Sequence, residues 1–403
     1  MNSQIQSTMP SPSFNTVYHS DVRFLHYEKP NDQMIEVLHV PTDYKEWVRI
    51  IDTIDNCYLI HYLTPNDTVD AKNDILENVG HVRGIILIKE NDKYTIICKS
   101  MPYTPEIVID DEFQFEEWDN YTKWHAWEGT VIRLFYSNTE WYIATHRKIN
   151  AYNSFVCPKS FGELFEDILH FKNVSQDFVN ELNTDIVYSF IITHPKNVIL
   201  LPVDLQKKDI MIANAYNKTS FVKENVHTIH LPSNITRPLE YKGTFDDMKK
   251  EIHSMKSVHS CGIFLQKNDT YLKFISPYYK NLKNLRGNNP SIGHRYVEMR
   301  QQNEQLKLEE WFTDDINRTR INEMKQKYDA LVTKLHKLYI SRFIKKVIRE
   351  MPKEEFVTIH RCHQWYKEHS SSGSIVVRSV VEDILKDAPY HCLLRMLNRV
   401  TIQ

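Results

Sequence analysis

The stretch Trp127-Glu-Gly-Thr-Val-Ile-Arg-Leu-Phe-Tyr-Ser-Asn-Thr-Glu-Trp-Tyr-Ile-Ala-Thr-His-Arg-Lys148 decides how the rest of the chain is read. Val131–Tyr136 and Trp141–Thr145 are runs of apolar, β-branched and aromatic residues around the turn Ser137-Asn-Thr-Glu140, which predicts an antiparallel hairpin. An acidic residue followed by glycine, Glu128-Gly129, opens the hairpin, and the cationic Arg147-Lys148 closes it. A carboxylate beside close-lying backbone can meet ligand hydroxyls, and cations at a strand end suit phosphate. A solvated turn and an ordinary strand end are the plain alternatives.

Working outward, Ile85–Ile88 and Tyr94–Cys98 flank Glu90-Asn-Asp-Lys93, and Ile263–Leu265 and Tyr271–Ile275 flank Lys267-Asn-Asp-Thr270. Both read as hairpins. Val187–Thr193, the turn Pro195-Lys-Asn197 and Val198–Leu201 read as a further strand pair. Short strands are expected over 35–75, including Met34–Leu38 and Cys57–Leu63. Ser160 and Glu163 are spaced as a capping box at the start of a helix. Beyond residue 297 the texture changes: Met324, Tyr328, Leu331, Leu335 and Leu338 repeat at helical spacing, and helices fit 355–369 and 375–387. The expected fold class is α+β, an antiparallel β body followed by an all-helical C-terminal domain. The expected division is a leader over 1–20, the body over 21–296 and the helical domain over 297–403.

The 403 residues carry 50 Lys+Arg, 52 Asp+Glu and 41 % hydrophobic residues. That excludes a disordered chain and gives roughly two or three domains. No apolar run approaches the ~20 residues of a membrane span, and the polar N-terminus has no secretory apolar core. The expected setting is therefore intracellular, in host cytoplasm or nucleus, not secreted, and with no membrane partner. Six scattered cysteines without a Cys-x-x-Cys pair read as free thiols. Glycine is scarce, nine in all, while Tyr reaches 22, a bias that suggests an AT-rich coding sequence. His360-Arg-Cys-His363 with His391-Cys392 has poor spacing for zinc, so no metal site is expected and helix packing is preferred. Residues 271–350 hold 17 Lys+Arg against 9 Asp+Glu, whereas 106–119 hold seven acids and no base. Within the basic segment Tyr278, Tyr279, Lys280, Lys283 and Arg286 interleave rings and cations, as nucleic-acid surfaces do. A solvated helix face is the alternative.

In order along the chain, Arg83-Gly84-Ile85, Glu128-Gly129-Thr130, Phe190 with Pro195-Lys-Asn197, Gly262, and Lys273 with Ser276 resemble the motif series of the covalent nucleotidyltransferases, and within them the phage-type RNA ligases. The resemblance implies a ligase-like fold over about 80–285, with Glu128, Gly129, Arg147, Lys148 and Lys273 near nucleotide or phosphate. In that family a lysine attacks the α-phosphorus of ATP, with Mg²⁺, to give a lysyl-AMP. Here Ala126 occupies the lysine position, Ile191 and Cys261 replace glutamates, and Ile275 replaces the second lysine of the last motif. Alanine cannot act as a nucleophile. The segment from Leu272 to Tyr296, the hairpin motifs and the helical tail also resemble ligase-like proteins of large DNA viruses, including the iridovirus immediate-early protein family.

The resemblance thus implies a catalytically impaired ligase-like viral early protein that binds nucleic acid, RNA before DNA, or a nucleotide. One alternative is an active ATP-dependent RNA ligase using Lys123 as a displaced nucleophile, with ATP and Mg as cofactors. A three-residue shift along a strand, however, turns that side chain to the other face. The second alternative is an interaction scaffold whose C-terminal helices bind a protein partner.

Overall fold

The structure is a computed structural model, and it describes residues 27–63, 69–155, 159–197, 208–255, 261–268, 270–287, 291–312, 315–347, 350–369 and 373–401. The leader expected over 1–20 and the strand expected at 198–201 lie outside the described residues.

Twelve strands are described: β1 (Val48–Ile54), β2 (Cys57–Tyr62), β3 (Arg83–Glu90), β4 (Lys93–Cys98), β5 (Glu106–Val108), β6 (Thr122–His125), β7 (Thr130–Ser137), β8 (Glu140–Ala144), β9 (Ile186–Thr193), β10 (Asp209–Asn217), β11 (Ile263–Lys267) and β12 (Thr270–Ile275). They form three four-stranded sheets, ordered β1-β2-β3-β4, β10-β9-β7-β8 and β5-β12-β11-β6. Every described pair is antiparallel except β5 with β12. The β3–β4 and β7–β8 hairpins turn on Asn91-Asp92 and Asn138-Thr139, all four at positive φ. Such paired left-handed residues match the twist of the flanking strands.

The helices are α1 (Asp32–Val37), α2 (Val69–Val79), α3 (Phe161–Phe171), α4 (Phe245–Ser254), α5 (Pro277–Arg286), α6 (Ile292–Gln301), α7 (Gln305–Trp311), α8 (Asp315–Tyr339), α9 (Lys353–His369), α10 (Arg378–Lys386) and α11 (Tyr390–Asn398). Met34–Leu38, expected as a strand, lies in and at the end of α1. Asn31 caps this helix by accepting from the Met34 N–H at 2.9 Å, and Met34 and Leu38 share its buried side. The cap decides the local conformation where a five-residue apolar pattern leaves it open. At α3 the Ser160–Glu163 capping box forms in both directions.

The first two sheets meet face to face through Ile51, Leu59, Ile86 and Ile88 on one side and Phe135, Tyr142, Ala144 and Val187 on the other. α3 covers the outer face of the second sheet with Leu164, Phe165 and Ile168. Residues of α1 and α2 lie on the outer face of the first. The third sheet buries Ile263, Leu265 and Phe274 against Met248 and Ile252 of α4. Each such side chain contributes about 1.5–3 kcal/mol when fully buried.

The C-terminal helices share one core, in which Tyr328, Leu331 and Leu335 of α8 are buried and Met324 and Leu338 pack against them. The expected boundary at 296/297 falls inside α6. Ile292, Tyr296, Val297 and Met299 of that helix join Tyr279 and Leu282 of α5 in the helical core. The chain therefore changes from strand to helix at Ser276, which caps α5 through the Tyr279 N–H.

Candidate functional site

Alternation along β-strands builds a cleft of about 650 Å³ between the second and third sheets. Register places Trp124, Phe264, Lys273 and Glu106 in one row across β6, β11, β12 and β5. All four side chains line the cleft. The facing wall is an aliphatic row, Val131, Ile191 and Met211, paired across β7, β9 and β10. One wall thus offers rings and a cation, and the other a flat apolar surface. A planar aromatic ligand fits between such walls.

Two glycines permit the close approach of backbone that shapes the cleft end. A Cβ on Gly129 would lie 2.5 Å from the Ile192 carbonyl oxygen. Gly262, at φ +125°, would place one 1.9 Å from the Phe274 carbonyl oxygen. Its own carbonyl accepts from the Ala126 N–H at 2.8 Å, which fixes Ala126 on the wall.

The cleft is cationic, with Arg83, Lys223, Lys267, Lys273 and Lys283 set against Glu106 and Glu224. Lys273 Nζ lies 3.6 Å from a Glu106 oxygen and 4.7 Å from the centroid of the Tyr279 ring. Lys283 reaches the other oxygen of Glu106. Burial works to raise the Glu106 carboxyl, but the two lysines outweigh it and hold its pKa below the usual range. Burial likewise works against the Lys273 ammonium, and the Glu106 carboxylate beside it reverses the effect and pushes its pKa up. The Cys261 thiol is pushed up by its own burial. Among the described residues Arg83 makes no ion pair, so its charge is available to an anion entering the cleft.

Ala126 and Gly129 line the cleft. Lys123 lies on the opposite face of its strand: it pairs with the buried Leu265, donates to the Trp118 carbonyl at 2.9 Å, and stands 4.7 Å from the centroid of the Trp118 ring. The carboxylate of Glu128 is buried. It acts electrostatically on Cys261, Tyr279 and Arg286 and does not line the cleft. Arg147 is exposed, and Lys148 is paired with Asp52 at 2.9 Å; neither reaches the cleft wall.

Of the five residues marked for nucleic acid, Tyr279 and Arg286 turn inward, at 5 % and 7 % exposure. Tyr278 packs on Trp311 with ring centroids 5.2 Å apart. Lys283 stands at the cleft edge, and Lys280 is partly exposed nearby, close enough to act on Glu106. Trp124, Phe264 and Glu106 carry no motif that marks them in the sequence. The i, i+2 step from Trp124 to Ala126 was the available signal for the first of them.

The residues present do not fit a bound Mg²⁺. Glu106 is shared by two lysines, Ile191 and Cys261 offer no hard oxygen, and among the described residues no group of three or more His, Cys, Asp or Glu is placed to hold a metal. Cys362, from the His360–His363 segment, is buried in the helical core, and His363 stacks on Phe343 at 4.1 Å.

The class of protein defined so far is an α+β chain with antiparallel sheets around a cationic cleft and a helical C-terminal region. The chain is similar to the immediate-early protein ICP-46 homologue of Invertebrate iridescent virus 6, with 23 % identity over 359 residues, 76 % of this chain and 74 % of that protein. It is also similar to the homologue of Invertebrate iridescent virus 3, with 27 % identity over 186 residues, 44 % of this chain and 39 % of that protein. No family model matches. Among solved structures, an archaeal ATP-dependent RNA ligase aligns at 10 % identity and a TM-score of 0.40, over 73 % of this chain and 78 % of that one. A putative ATP-dependent DNA ligase from Aquifex aeolicus aligns at 13 % identity and a TM-score of 0.33, over 81 % and 86 %. No helix among the described residues is long and apolar enough to cross a membrane.

Proposed function

We propose that this chain is an early protein of a large DNA virus whose cleft binds a nucleotide, or the 5′-phosphate end of a nucleic acid, without forming a covalent adduct. RNA is the expected polymer. The observation that carries the reading is the placement of the two nucleophile positions the sequence offers. Ala126 lines the cleft where the motif series calls for lysine, and Lys123 is turned to the opposite face. Alanine offers no nucleophile, and Lys273, 3.6 Å from Glu106, stands in the cleft as a cation suited to phosphate.

In this reading a base enters between Trp124 and Phe264 on one side and Val131, Ile191 and Met211 on the other. The phosphate meets Lys273, Lys283 and Arg83. No step is routed through a metal: among the described residues Glu106 is shared by two lysines, and Ile191 and Cys261 offer no oxygen ligand.

The test is incubation of purified protein with ATP and Mg²⁺ or Mn²⁺, read by intact mass, alongside a titration followed by tryptophan fluorescence. The expected result is saturable quenching with no AMP adduct, and quenching weakened at least tenfold by Lys273→Gln. An AMP adduct mapped to any lysine would overturn the reading in favour of the active-ligase alternative. Absence of any nucleotide or RNA-end binding would favour the scaffold.

A further inference from the structure

The C-terminal domain carries a second ring-and-cation surface, separate from the cleft. α8 ends in a π-helical turn, Ile340–Ile344, that brings Phe343 over α9. Phe343 stacks on His363 with centroids 4.1 Å apart and planes 11° apart, and it meets His360 edge-on at 5.1 Å. His360 lies 4.1 Å from Phe356 one turn earlier, and His363 lies 6.1 Å from Tyr366. The rings therefore form one continuous strip across the two helices. Phe356 is 39 % exposed and His360 is exposed as well, so the strip ends in rings open to solvent.

Cations edge this strip. Arg342 lies 6.0 Å from the Phe356 ring centroid, and Lys346 acts on His363. Lys345 is exposed beside them. Among the described residues Arg342, Lys345 and Lys346 make no ion pair. That contrasts with Lys334, Arg395 and Arg399 in the same domain, each paired with Glu354 or Glu355. Three neighbouring cations without counter-charge raise the local potential, and a polyanion relieves it by displacing counterions. Exposed rings interleaved with such cations add sequence-tolerant base stacking.

We propose that Arg342, Lys345 and Lys346, with the rings of Phe356 and His360, form a platform for single-stranded nucleic acid. It requires no ligand in the cleft. A strand lies along the strip with phosphates on the three cations and bases on the two open rings.

The test is fluorescence anisotropy of the full chain with a labelled oligouridylate of about 12 nucleotides, within the ~4–16 nucleotide range of such sites. Titrations run from low to moderate salt. For Arg342→Gln/Lys345→Gln/Lys346→Gln the log–log salt slope should flatten by about 2, at ~0.7 per phosphate contact on a single strand. For Phe356→Ala/His360→Ala, affinity should fall roughly 30-fold or more at fixed salt. Circular dichroism checks the ring variant; the charge variant changes only side chains at the surface and keeps the test decisive if the ring variant misfolds.

Saturating ATP, which the cleft reading places in the cleft, should leave the platform's affinity and slope unchanged, which separates this proposal from that reading. Loss of oligouridylate binding on adding ATP, with no loss in the platform variants, overturns the platform. Flotation of wild type, but not the charge variant, with phosphatidylserine vesicles and no oligouridylate binding also overturns it, in favour of a membrane surface.

Discussion

Two regions of this molecule bury a full charge, and they solve the problem differently. In the β sandwich Arg133 is 0 % exposed, and its guanidinium is held by neutral acceptors: the carbonyls of Gly84 and Thr145, with the Cys98 sulfur at 3.5 Å. In the helical domain Glu355 is also 0 % exposed, but it is held by opposite charges, Lys334 at 3.3 Å and Arg399 at 2.8 Å. The sandwich solvates its cation with dipoles that have nowhere else to turn. The helical domain solvates its anion with side chains whose other ends reach water, 40 % exposed for Lys334 and 35 % for Arg399. The lesson is that the cost of removing a buried charge depends on what its partners can do afterwards.

The largest effect should therefore come from Arg133→Met, which fills similar space and strands two buried carbonyls. A loss of about 2–5 kcal/mol is expected from urea unfolding; a loss under about 1 kcal/mol would show that the carbonyls relax and that the contrast is false. Glu355→Gln keeps the shape and lets Lys334 and Arg399 swing outward, so about 1–2 kcal/mol is expected by the same measurement. If it costs as much as Arg133→Met, partner mobility is not what separates the two.

Asp167 sharpens the contrast at its weaker end. His194 and Lys208 hold it at 2.8 and 3.0 Å. Burial works to raise its pKa, and these hydrogen bonds outweigh it and bring the value to about 2. A lowered carboxyl pKa stabilises the fold above the usual value near 4, and that contribution disappears as pH falls toward 2. The stability gap between wild type and Asp167→Asn should be about 1–2 kcal/mol at pH 5 and close within that window. Melting curves collected from pH 6 to pH 2 measure it, and a gap that does not change with pH would remove Asp167 from the comparison.

The parts of the fold legible in sequence are those whose signals are local. The hairpins around 90–93 and 137–140 form where turn residues interrupt apolar runs, and the Ser160–Glu163 box starts α3. The 4-3-4-3 face of α8 packs as its spacing implies. What was not legible is non-local. β5 and β6 are three and four residues long and join their sheet only through β11 and β12, far along the chain. The second wall of the cleft, with Trp124, Phe264 and Glu106, depends on that pairing. Tyr279 and Arg286 illustrate a different limit. Composition marked them as a basic aromatic surface, yet with Leu282 they share one helical face, and that face turns to the core. Lys123 and Ala126 were separable from sequence, because strand alternation alone puts them on opposite sides.

The parallel pairing of Glu106 with Lys273 also sets an order in time. The sandwich is complete in sequence once Asn217 has been made, whereas the third sheet waits for Ile275. At roughly 5–20 residues per second, a ribosome needs about 3–12 s to cover that interval. Closing so long a loop is itself slow, because its entropy is lost before any contact repays it. Until then α4 has no sheet to pack on, and the aliphatic row of β7, β9 and β10 has no facing wall.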